Sequence, residues 1–122
     1  MPAHKEFQQV FEQLRDVLEK YERRLILQAD TPDNYSLDTP FSARYKKTLF
    51  FGAVRINKSY VSYHLMPVYV FPELLQGISP ELKARMQGKS CFNFKTIEVS
   101  QVKELAWLTQ AGFKRFKQGK LV

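Results

Sequence analysis

The sequence predicts an α+β domain: two long helices packed on one face of an antiparallel sheet of about five strands, with a short helix before the last strand. Three observations predict it. The stretch Thr48 to Phe71, TLFFGAVRINKSYVSYHLMPVYVF, holds two runs rich in Val, Phe, Tyr and Ile around Asn57-Lys58-Ser59, which signals a long hairpin. Apolar residues recur at spacings of three and four near both ends of the chain, the pattern of amphipathic helices. Turn residues cut most of the remainder into strand-length pieces, and 122 residues suffice for a single domain, 1–122, with its own core.

In chain order, Phe7, Val10, Phe11, Leu14, Val17, Leu18 and Tyr21 form the apolar stripe of a helix from Lys5 to about Arg24, and Glu12, Asp16 and Glu19 align on its other side. Leu25-Ile26-Leu27 begins a strand that turns at Thr31-Pro32-Asp33-Asn34, where Pro presets φ and Asp and Asn bond their own backbone. Tyr35 to Leu37 returns antiparallel, and Thr39-Pro40-Phe41-Ser42 links this ribbon to Tyr45-Lys46-Lys47 and the central hairpin. After the hairpin, Pro72 to Leu75 suits a helical turn ended by Gly77. Ser79 then caps a short helix with Pro80 at its first position, running to about Gln87 and closed by a left-handed Gly88. Cys91 to Lys95 alternates as a fifth strand. Ser100 is read as the cap of a last helix whose stripe is Val102, Leu105, Ala106, Thr109, Phe113 and Phe116, with Trp107 and Leu108 beside it.

Successive strand side chains point to opposite sides. On the second hairpin strand Val61, Tyr63, Leu65, Tyr69 and Phe71 are read as the core side, with Tyr60, Ser62, His64, Met66, Val68 and Val70 opposite. On the first strand Phe50, Gly52, Val54 and Ile56 oppose Leu49, Phe51, Ala53 and Arg55. The second side is too apolar for a simple wet face, so it is either partly covered or an aromatic binding surface. Pro67 has no N–H for a ladder and marks a bulge or an edge.

The formal charge of +7 points to an acidic or phosphate-bearing partner. It is unevenly spread: residues 1–43 hold five basic and eight acidic side chains, residues 44–95 nine and two, and residues 96–122 five and two. The single Cys91 excludes an internal disulfide. With no signal pattern and no apolar run near 18 residues, a cytoplasmic protein free of the membrane is expected, monomeric or homodimeric.

Gly88-Lys89-Ser90 resembles the end of a phosphate-binding loop, but Lys83 stands where that motif needs another Gly, and the segment leads into a strand rather than a helix. A plainer anion site at the Gly turn with Lys89, Ser90 and Lys95 remains open. Cys91, His64 and Asn93 are the residue types of a thiol hydrolase, and a Cys–His contact would lower the thiol pKa. A packed structural role is the plainer reading, and no enzyme is expected. His4, His64 and Cys91 match no zinc spacing. The candidate ligand surface is the aromatic and basic set Phe51, Arg55, Tyr60, His64, Lys89, Ser90, Asn93 and Lys95, residue types that stack bases and hold phosphates.

The stretch from Phe50 to about Phe116, with FFGAVRINKSYVSYHLMPVYVFPELL followed by ISPELKARMQGKSCFNFK, resembles the YdhG-like family of small bacterial domains. The resemblance implies a fold similar to frataxin, with two helices against an antiparallel sheet. One branch of that family is described as an intracellular iron chaperone, so iron is implied as a ligand. The residues that would stand for the frataxin acidic ridge are Glu12, Asp16, Glu19 and Glu22, with Asp30 and Asp33 at the first turn. Basic side chains share that helix, unlike the family pattern. The expectation is a non-enzymatic cytoplasmic binding domain, with iron as the ligand implied by resemblance and phosphate or nucleic acid as the alternative.

Overall fold

The computed structural model describes residues 2–40 and 46–119, with side chains from residue 6 onward. Helix α1 (Pro2–Glu19) leads through a 3-10 turn (Glu22–Arg24) into β1 (Ile26–Thr31), β2 (Asn34–Asp38), β3 (Phe50–Ile56) and β4 (Val61–Leu65). Then come α2 (Met66–Val70), a 3-10 turn (Pro72–Gly77), α3 (Pro80–Lys83), β5 (Cys91–Phe94) and α4 (Val99–Gln118). The five strands form one sheet in the order β1-β2-β3-β4-β5, each pair antiparallel. The fold is therefore α+β around a five-stranded antiparallel meander.

Both hairpin turns sit where the polar interruptions fall. Pro32 and Asp33 connect β1 to β2, and Thr31 Oγ1 donates to Asp33 Oδ1 at 2.9 Å. Between β3 and β4 the Asn57 N–H donates to the Tyr60 carbonyl at 2.8 Å. Short side chains that bond the local backbone are what such turns require.

The core side of the sheet carries Tyr35, Leu37, Val54, Val61, Tyr63, Leu65, Phe92 and Phe94. They join Phe11, Leu14 and Leu18 of α1 and Leu105, Leu108 and Phe116 of α4 in one buried cluster. Arg15 of α1 lies over the Tyr35 ring, 5.0 Å from its centroid. The segment between β4 and β5 is tied to α4 by polar contacts. Arg115 pairs with Glu73 at 2.6 Å, and Glu104 accepts from both the hydroxyl and the backbone N–H of Ser79.

Several boundaries differ from the sequence reading. The second hairpin strand stops at Leu65 rather than continuing to Phe71, because Pro67 sits in the first turn of α2, where a missing N–H costs nothing. Tyr69, expected in the core, is consequently 53 % exposed, and Val68, expected opposite, is buried. Helix α1 ends at Glu19, short of Arg24. Helix α3 ends at Lys83, short of Gln87, after which Met86 bridges Phe92. Gly88 is left-handed as expected, with φ +83°, but it turns the chain into β5 instead of capping a helix. The cap of α4 is Glu98, not Ser100, in a capping box with Gln101. Lys46 is left-handed and regular pairing starts only at Phe50, while Phe41, Ser42 and Tyr45 lie outside the described residues.

One irregularity shapes the sheet's two faces. Leu37 pairs with Gly52 but Asp38 pairs with Phe50, so Phe51 is the extra residue of a β-bulge. A bulge breaks strict alternation. Phe51 is turned into the core, where its ring lies 5.9 Å from that of Phe113 and 5.8 Å from that of Phe116.

Candidate functional site

On the side of the sheet away from the core, strand register lines up two rows of side chains. Asn34, Arg55, Ser62 and Asn93 stand in one, from β2 through β5. Ser36, Ala53, His64 and Cys91 stand in the other. The rows are polar and small rather than aromatic. Ser62 is only 2 % exposed and Ala53 is fully buried, while Arg55 reaches solvent. The Phe50 ring meets the His64 ring edge-on at 6.5 Å, taking the place that alternation assigned to Phe51.

These side chains are linked. Asn57 Nδ2 donates to Ser62 Oγ at 3.0 Å, and Ser62 Oγ lies 3.0 Å from His64 Nε2. The Ser62 hydroxyl, with one proton and two acceptor sites, thus joins the Asn57 amide to the His64 ring. Cys91 Sγ donates to Asn93 Oδ1 at 3.2 Å and lies 3.9 Å from His64 Nε2. Burial, followed by the positive Arg55, lowers the pKa of His64, and burial raises that of Cys91. The pair thus rests as neutral imidazole and thiol. Cys91, His64 and Asn93 do meet, but their surroundings oppose the activation that such a contact was expected to bring.

Arg55 donates through Nε to Asn34 Oδ1 at 3.3 Å. Among the described residues the ion pairs are Arg15 with Asp30 and Arg115 with Glu73, and no carboxylate is within pairing distance of Arg55. Tyr60 and Lys95 are exposed at the Val61 end of β4. Lys89 and Ser90 belong to its other end, where the Ser90 carbonyl accepts from the Leu65 N–H at 2.9 Å and the Lys89 ammonium lies 6.0 Å from the centre of the Tyr69 ring. The five residues of β4 set these ends roughly 15 Å apart. The eight candidate residues therefore do not form one patch: Arg55, His64 and Asn93 share the sheet face, Tyr60 and Lys95 lie at one end, Lys89 and Ser90 at the other, and Phe51 is in the core. Sequence reasoning missed Asn34, Asn57 and Ser62 as members. The i, i+2 spacing of Ser62 and His64 was a usable signal, whereas Asn34 depends on register.

The acidic positions are dispersed. Glu22 lies beyond the end of α1, in the 3-10 turn, and accepts from the Tyr35 hydroxyl at 2.7 Å. Asp30 is held by Arg15 at 2.8 Å. Asp16 lines a shallow groove with Lys20 and Lys103, while Glu12 borders a separate one beside Arg15. Among the described residues no three His, Cys, Asp or Glu side chains come together to hold a metal ion, and the side chain of His4 lies outside them. A hard cation such as iron needs clustered oxygen donors, which this arrangement does not assemble.

Compared with known proteins, the chain matches no family model, no curated protein and no solved structure. Fold and site define the class: an α+β domain whose five-stranded antiparallel sheet has one core side and one polar side. No described helix is long and apolar enough to cross a membrane.

Proposed function

We propose that this chain is a non-enzymatic binding domain that takes a phosphate-bearing ligand on the polar side of its sheet at the β3–β4 turn. The observation that carries the reading is Arg55: its side chain is exposed and, among the described residues, is bonded to the neutral Asn34 and clear of carboxylates. A planar, permanently charged fork beside neutral Asn and Ser side chains suits a phosphate. Lys58 and Lys95, both exposed at the same end of the hairpin, and the half-exposed Tyr60 extend the positive field and add a surface on which a base stacks. Contacts of α1 and α4 with the core side support a frataxin-like arrangement of the helices, in keeping with the YdhG-like resemblance. The free Cys91 fits a reducing compartment, and we place the protein in the cytoplasm. Iron handling, with Glu12, Asp16, Glu19 and Glu22 as its residues, has only the resemblance in its support.

The test is a titration of ¹⁵N-labelled protein with a short single-stranded oligonucleotide at two salt concentrations, with inorganic phosphate in parallel. Amide shifts centred on Arg55, Ser62, Asn93 and Lys95 are expected. Arg55→Ala should weaken binding several-fold and flatten the slope of log K against log salt by about 0.7 if one single-strand phosphate contact is lost. Affinity indifferent both to salt and to Arg55→Ala sinks the reading.

A further inference from the structure

We propose that Cys91 and His64 form a binding site for one soft monovalent cation of the Cu(I) class, with the Asn93 amide oxygen as a weak third donor. The two principal donors stand on neighbouring strands, Cys91 directly paired with His64, so the backbone sets their separation before any ion arrives. Sγ and Nε2 are 3.9 Å apart. Metal–sulfur and metal–nitrogen bonds of about 2.3 and 2.0 Å span that gap with an angle of about 130° at the metal, wider than tetrahedral and near trigonal. Asn93 Oδ1 stands 3.2 Å from Sγ and is the nearby neutral oxygen that can serve as the weak third donor. Thiolate with imidazole is a donor pair that favours Cu(I), whereas a divalent hard ion would require carboxylates that are not there among the described residues.

The charge balance selects a monovalent ion. Binding follows Cys91–SH + M⁺ → Cys91–S–M + H⁺: the S–H bond breaks, the S–M bond forms, one proton leaves, and nothing is oxidised or reduced. The site's net charge is unchanged. A divalent ion would add a positive charge within the field of Arg55, which already works against a protonated His64. The second bond uses the Nε2 lone pair, so the ring binds as the tautomer with its proton on Nδ1 and exchanges its 3.0 Å contact with the Ser62 hydroxyl for the ion. Both residues are half-buried, leaving the ion a path from solvent.

Ag(I), which matches Cu(I) in softness and charge and undergoes no redox chemistry here, is the probe, added to wild-type protein with ¹⁵N-labelled histidine in buffer free of chloride and thiols. One equivalent should bind, one proton should be released per ion, and the Nε2 resonance of His64 should move far more than its Nδ1. Cys91→Ser and His64→Gln should each weaken binding by more than the roughly 10–100-fold that loss of an outer-shell partner costs. Silver bound with Nε2 unmoved, or His64→Gln binding as tightly as wild type, would show a lone thiol and overturn the site. Because the ring-nitrogen readout uses unsubstituted protein, it decides the matter even if a variant fails to fold.

Discussion

The phenolic hydroxyl of Tyr63 is fully buried, and burial raises its pKa. Thr109 Oγ1 donates to the Leu105 carbonyl at 2.7 Å, so the 2.5 Å contact between Tyr63 and Thr109 has the phenol as its donor. The two possible truncations are therefore unequal. Thr109→Val strands a buried O–H and should cost about 1–3 kcal/mol, while Tyr63→Phe removes a donor that Thr109 can spare and should cost about 1 kcal/mol. Urea denaturation of both variants and the double variant checks the order; the double should be no worse than Thr109→Val alone. His64 carries a second residue-scale prediction. Its folded-state pKa lies below the ordinary 6.5, so on acidification the unfolded chain takes up the proton first. The stability from neutral His64 is present above the unfolded-state value and lost as pH falls through the lowered one. Melting temperature should drop between about pH 7.5 and pH 5 more steeply for wild type than for His64→Gln. Neither partner relation was legible beforehand in full. Alternation put His64, Cys91 and Asn93 on one side, but it also put Phe51 there, because nothing in Leu49-Phe50-Phe51-Gly52 announces a bulge.

At the scale of elements, α4 rests against α2 through a glycine. A Cβ on Gly112 would stand 2.6 Å from Cβ of Pro67, whose ring cannot swing aside. Alanine in a helix interior gains up to about 1 kcal/mol over glycine, and overpacking of this kind costs about 1–3 kcal/mol. Packing decides the sign. Gly112→Ala should lower the denaturation midpoint with no change in the slope of the transition. Elements with strong local signals were readable: the Asn57-Lys58-Ser59 turn, the Ser79-Pro80 helix start and the stripe of α4 all stand where the pattern put them. Boundaries were misjudged where two signals competed. Pro67 could end a strand, mark a bulge or open a helix, and its neighbours Met66, Val68 and Tyr69 favour none of these strongly. Ser100 looked like the cap of α4 because hydroxyls usually serve, yet the helix starts earlier: the Glu98 side chain accepts from the Gln101 N–H, and Gln101 Oε1 accepts in return from the Glu98 N–H.

For the whole molecule, the succession of helices and strands and the class of fold followed from periodicity and turn chemistry, because both are local properties. Side-chain meetings across the sheet were not visible, since they depend on register, and register here includes irregular steps at Leu27/Ala29 and Leu37/Asp38. The candidate surface suffered most. A net charge of +7 said that cations abound, but only the pairing of β2 with β3 showed that Arg55 has an amide beside it and not a carboxylate. Spatial order equal to sequence order has a consequence for synthesis. As the chain leaves a ribosome, each strand finds the preceding one already available to pair with, so no strand must wait for a later one to be inserted between it and its neighbour. The step that does wait is closure over Tyr63, whose hydroxyl must keep water as its partner until Thr109 has been made. The nascent sheet is thus a growing template with a wet seam, sealed only once α4 has emerged.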